Sequence, residues 1–176
     1  QQAVHALWAL ERLGKLDDEL FATAWKNFDD STVKVHLLRI LVDRPSLSSA
    51  MRAIALEESA DPHVTRARAE VLGAHPDLDF MPRLLRLWRK TDPSDTHLIH
   101  VVRIALRDQL NDPAAWPRVL ATSLDDGDRA DLADVAVGTS NAAAAAFLFD
   151  HLRNSSEKPA NVSRYLHHVA RYGEDA

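Results

Sequence analysis

The stretch Val35-His36-Leu37-Leu38-Arg39-Ile40-Leu41 returns in degenerate form as His100-Val101-Val102-Arg103-Ile104-Ala105-Leu106, and a relative, Val4-His5-Ala6-Leu7-Trp8-Ala9-Leu10, stands near the start of the chain. With His36 as the anchor, the register runs through His5, His36, Ala67, His100, Leu132 and His167, in steps of 31, 31, 33, 32 and 35 residues. Near-constant spacing of this size marks stacked helical units, each burying its apolar face on its neighbours. The expected fold is all-α: a right-handed α-solenoid, or superhelix, of about five and a half helix pairs in a single domain over residues 1–176. Several units close on an apolar pair and a glycine, Val71-Leu72-Gly73 and Ala136-Val137-Gly138, and more loosely on Arg171-Tyr172-Gly173. A glycine there suits the left-handed turn that ends many helices.

Local signals place the helices between these anchors. Helices are expected over 2–14, 16–27, 32–43, 47–59, 62–73, 80–90, 96–110, 114–124, 128–138, 142–153 and 162–172. In the second, Leu20, Phe21, Ala24, Trp25 and Phe28 recur three and four apart and form one apolar face. Asp30, Ser46, Asp61 and Asn141 are candidate N-caps, because a short side-chain oxygen satisfies an otherwise orphaned amide of the first turn. Pro62 and Pro113 follow aspartates, in the cap-then-proline order that starts a helix. Helices of this length are marginal alone, so lateral packing must hold them. Trp8, Trp25, Trp88 and Trp116, with Leu38, Leu41, Leu72, Ile104 and Leu106, are the expected core.

Composition narrows the chemistry. A net charge of −5 argues against a general nucleic-acid binder. The absence of cysteine excludes disulfides, thiolate metal sites, c-type haem attachment and cysteine nucleophiles within this chain. No apolar run reaches the eighteen or so residues of a membrane span. The chain opens inside a helical pattern without an initiator methionine, so it reads as a segment of a longer protein. No serine sits in a Gly-x-Ser-x-Gly elbow, and neither a glycine-rich phosphate loop nor His-Glu-x-x-His occurs. Asp125-Asp126-Gly127-Asp128 lacks the acidic close of a calcium loop and reads as a turn. Neither a cofactor nor a metal is expected.

Two sets of residues remain as functional candidates. His5, His36, His100 and His167 share one repeat position. No carboxylate accompanies them at a ligating spacing, so a half-buried imidazole bonded to a turn or a neighbouring carbonyl is the expected role. Adjacent residues on a helix diverge, so His167 and His168 do not form a ligand pair. The arginines are the stronger set. Arg39 and Arg103 occupy equivalent repeat positions, and Arg66, Arg68 and Arg107 belong to the same second-helix series. Such a ladder suits a protein or acidic peptide, or phosphate, because guanidinium groups grip such anions in pairs. The competing expectation is internal pairing with Glu57, Glu58, Glu70 and Asp108. Arg83, Arg86, Arg89 and Lys90 crowd a first helix instead.

Asp61-Pro62-His63-Val64, followed by Arg66, Ala69, Leu72 and Gly73, resembles a HEAT repeat. Thr65 stands where that repeat usually carries arginine, and Lys34 holds the place in the second unit. The resemblance implies an armadillo-like superhelical scaffold whose second helices line a concave, protein-binding surface. The opening His5-Ala6-Leu7-Trp8-Ala9-Leu10-Glu11-Arg12-Leu13-Gly14 is similar to the HEAT region of large exported bacterial proteins of planctomycete type. In those, a dehydrogenase-like propeller precedes the segment and a cytochrome c domain follows. The resemblance therefore implies a non-catalytic interaction module or interdomain spacer, exported or periplasmic if it holds and cytoplasmic otherwise. HEAT-like lyases and DNA glycosylases supply the enzymatic alternative, which needs an aromatic, carboxylate-bearing cleft. Loss of a partner beside the first helix is expected to leave Leu7, Leu10 and Leu13 as an apolar patch.

Overall fold

The computed structural model describes residues 1–173, and the described residues are all-helical, with eleven α-helices and no strand. These are α1 (Gln2–Arg12), α2 (Asp18–Asn27), α3 (Ser31–Asp43), α4 (Ser49–Leu56), α5 (Pro62–Ala74), α6 (Met81–Lys90), α7 (Thr96–Leu110), α8 (Trp116–Leu120), α9 (Asp126–Ala136), α10 (Ala142–Asn154) and α11 (Pro159–Tyr172). Short 3-10 turns, Leu78–Phe80 and Pro113–Ala115, lead into α6 and α8.

The capping chemistry accounts for most of the boundaries. The side chains of Asp30, Asp61 and Asn141 accept from the amides of Val33, Val64 and Ala144, as expected of N-caps. Asp125 does the same for Asp128, so the acidic turn is the start of α9. The cap of α4 is Ser48, whose oxygen accepts from the Met51 amide, and not Ser46. The eighth helix is much shorter than 114–124. It ends where the Thr122 hydroxyl turns back onto the Val119 carbonyl, a local bond that competes with helix continuation.

Among the described residues, glycine acts in one place as a left-handed helix end. Gly14 has φ of 63°, its amide donates to Glu11 O at 2.9 Å, and the Lys15 amide donates to Leu10 O at 2.8 Å. This is the paired closure of a Schellman turn. Gly73 lies buried within α5, and neither Gly138 nor Gly173 takes a positive φ. The repeated apolar-pair-and-glycine phrase therefore does not mark left-handed turns.

Contacts divide the chain into two compact units. The first comprises Gln1–Pro76 with Thr91–Val102, and the second comprises Asp77–Lys90 with the residues from Arg103 onward. Within the first, α1, α3 and α5 pack in succession, and α2 packs on α4. Leu37, Leu38, Ile40 and Leu41 of α3 are fully enclosed there. Within the second, α9, α10 and α11 pack in order, around Trp116, Phe147 and Tyr165.

Several core expectations need revision. Trp25, Trp116, Leu38, Leu41, Leu72 and Leu106 are buried, whereas Trp8, Trp88 and Ile104 are only half-buried. Leu20 and Phe28 are exposed, so the α2 stripe is narrower than its spacing suggested and reduces to Phe21, Ala24 and Trp25. Leu7 is buried and Leu10 half-buried, which leaves Leu13 alone of the expected α1 patch in the open.

Candidate functional site

The five ladder arginines fall into three environments. Arg39 of α3 is exposed and makes no ion pair among the described residues. Arg66, Arg103 and Arg107 are half-buried and each meets a carboxylate. Arg66 Nη2 lies 3.9 Å from Asp95, Arg103 Nη2 lies 2.6 Å from Asp134, and Arg107 Nη2 lies 2.7 Å from Asp108. The guanidinium of Arg103 also lies over the Trp88 ring, 5.7 Å from its centre.

Arg68 stands apart. It is 6% exposed, donates to the Glu57 backbone carbonyl and to the Glu57 carboxylate at 3.2 Å, and lies 5.3 Å over the Trp25 ring. The Trp25 indole donates to the same carboxylate at 3.0 Å. Arg66 and Arg68 are two positions apart on α5, so they point to different sides of the helix. Arg68 faces inward as the centre of a polar knot, and a partner cannot reach it. Within the first unit, Arg39 and Arg66 remain at the surface. Within the second, Arg103 and Arg107 do.

A pattern among the polar contacts becomes visible only with the structure. Arg68–Glu57 spans 11 residues and Arg107–Asp108 are adjacent, but many contacts between elements recur about one sequence period apart. Trp8 donates to His36, Ser31 to Asp61 at 2.6 Å, and Asn141 to the Leu110 carbonyl, over separations of 28, 30 and 31 residues. Arg44 binds both oxygens of Glu11, 33 residues back, at 2.9 and 2.7 Å, and also reaches Asp18 and the Leu16 carbonyl. Arg89 grips both oxygens of Asp125, 36 residues ahead. Asp128 at 2.9 Å and Asp131 at 3.5 Å surround the same guanidinium. Asp134 receives Arg164 as well as Arg103. Sequence reasoning missed Arg44 and Arg89 as clamps. Opposite charges one period apart are the signal that would have found them.

The electrostatics match this geometry. Hydrogen bonding to Arg89, then to the Asp128 amide, lowers the Asp125 carboxyl to about 2. The bond from Ser31, followed by the Val64 amide, holds Asp61 below the usual carboxylate range. Hydrogen bonding to Glu11 raises the Arg44 guanidinium further, against the opposing effect of burial.

The recurrent histidines do not share one role. His36 is half-buried and its Nδ1 accepts from the Trp8 indole at 3.1 Å, whereas His5, His100 and His167 are exposed. Burial, then the neighbouring charges of Arg39 and His5, lowers the His36 pKa. Further structural histidines lie outside this series. His75 bonds the Leu41 carbonyl at 2.7 Å, His151 bonds Glu157 at 2.9 Å, and His168 is buried, its pKa lowered by burial. His167 and His168 diverge as expected, one exposed and one buried. Among the described residues no three histidine, aspartate or glutamate side chains gather as a metal would require, and no helix is long and apolar enough to cross a membrane.

Comparison of the chain with models of known families, with curated proteins and with solved structures finds no match.

Proposed function

We propose that this chain is a non-catalytic interaction module, an α-solenoid of HEAT type in which the surface arginines of the second helices receive an acidic protein segment. The single observation that carries the reading is the one-period spacing of the polar contacts in each unit. Contacts that step from one repeat to the next are what stacked repeats produce. Arg39 supports the binding half of the proposal, because an exposed guanidinium without an internal carboxylate partner is available to an external one. Within the same unit Arg66 supports such a surface, since a partner must compete there with Asp95. As a spacer in an exported redox protein, the same array would hold flanking domains apart.

The test is affinity capture with the full chain and with Arg39→Glu, both confirmed as folded by circular dichroism. A partner held by the wild type, lost in Arg39→Glu and weakened by salt supports the proposal. A partner retained equally by both proteins, or none captured by either, overturns the arginine-face reading. X-ray scattering tests the solenoid separately. A radius of gyration at or below the roughly 16 Å of a compact chain of this length contradicts it.

A further inference from the structure

The second unit contains a cleft of about 560 Å³ framed by α6, α8 and the start of α9. Its size falls within the usual range of small-molecule sites. The apolar part of its lining is Leu78, Met81, Pro82, Leu85, Val119 and Leu124. Met81, Leu85 and Val119 are themselves buried, so this surface is anchored in the core. Three arginines, Arg86, Arg89 and Arg118, and two aspartates, Asp79 and Asp128, also line the cleft, and the states of the arginines differ. Arg89 is immobilised by Asp125, Asp128 and Asp131. Arg118 approaches Asp79 only at 4.0 Å, with both side chains largely in water. Arg86 is exposed and makes no ion pair among the described residues. The cleft thus joins an apolar floor to one uncompensated guanidinium and one weakly paired guanidinium.

We propose that this cleft binds a small amphipathic acid, an apolar body ending in a carboxylate. The body lies against Leu85 and Val119, and the carboxylate is taken by Arg86 with help from Arg118. Charge complementarity selects the headgroup. A neutral head leaves Arg86 without a counter-charge, and a cationic head meets it with repulsion. The proposal is independent of the arginine ladder, none of whose members lines the cleft.

Decanoate, decanol and decyltrimethylammonium, titrated below their micelle concentrations into the ¹⁵N-labelled full chain, form the test. Decanoate is expected to shift the amide signals of Leu85, Val119, Thr122 and Leu124, and to bind about tenfold more tightly than decanol, a difference of about 1.4 kcal/mol. The cationic analogue is expected to bind weakest. Arg86→Ala combined with Arg118→Ala should bring decanoate down to the affinity of decanol while leaving decanol unchanged. Both arginines are exposed, so the amide spectrum of the double variant should otherwise match that of the wild type. Equal affinity for the three probes, shifts confined to other surfaces, or no shifts at all overturns the proposal.

Discussion

Replacing Arg68 and Arg39 in parallel separates an arginine that holds the fold from one free to serve a partner. Arg68→Ala removes a charge-assisted bond to the Glu57 carbonyl, a bond to the Glu57 carboxylate at 3.2 Å, and the stacking on Trp25 at 5.3 Å. The first is worth about 1.5–3 kcal/mol. The Glu57 carboxylate is half exposed, which reduces the second to about 0.5 kcal/mol. The cation–π contact adds about 1 kcal/mol. Release of the guanidinium's own desolvation cost offsets part of the sum, and the net loss is about 2–3 kcal/mol. With a urea dependence near 2 kcal/mol per molar, the unfolding midpoint should fall by about 1–1.5 M. Arg68→Met keeps the apolar stem over Trp25 and should lose roughly half as much. Arg39→Ala, at an exposed position without an ion pair, should stay within about 0.5 kcal/mol, or roughly 0.25 M. Urea titration followed by circular dichroism at 222 nm measures all three. A midpoint for Arg68→Ala within 0.3 M or so of that for Arg39→Ala refutes the assignment of Arg68 to the interior.

Three further outcomes follow from the same geometry. His36 accepts the Trp8 indole proton in its neutral form, and its pKa is lowered, so its contribution is complete above the ordinary value near 6.5 and is lost as pH falls through the lower folded value. An NMR titration of its imidazole should show a midpoint below 6.5 that rises in Trp8→Phe, and a wild-type midpoint at or above 6.5 contradicts the assignment. Asp125 titrates at about 2, below the ordinary aspartate value near 4, so its stabilising effect is present above pH 4 or so and disappears toward pH 2. Asp125→Asn should therefore flatten the acid limb of the urea midpoint between those values, and an unchanged limb would show that the Arg89 clamp contributes nothing. Gly14→Ala should cost about 1 kcal/mol through backbone strain alone, because φ is 63° and a methyl group there meets nothing within 4 Å. Gly14→Asn should cost less, and a neutral Gly14→Ala by urea titration would argue against the left-handed turn.

The chain's helices were legible because their signals are local. Asp30, Asp61 and Asn141 sit at the right distance from the amides they cap. The same local reading failed where two nearby groups competed for one role. Ser48 displaced Ser46 as a cap, and Thr122 cut α8 short by bonding its own backbone. What sequence alone determined was thus the all-α class, the positions of most helices, and the absence of cysteine chemistry. Only the tertiary structure decided which arginines are available. Arg39, Arg66 and Arg68 are the same residue type on comparable helices, yet one is open, one is half-paired and one is buried beside Trp25 and Glu57. That distinction depends on which side of a helix meets a carboxylate of another segment, and on how closely two helices approach. Both are set by packing between residues distant in the chain, which local propensity does not encode.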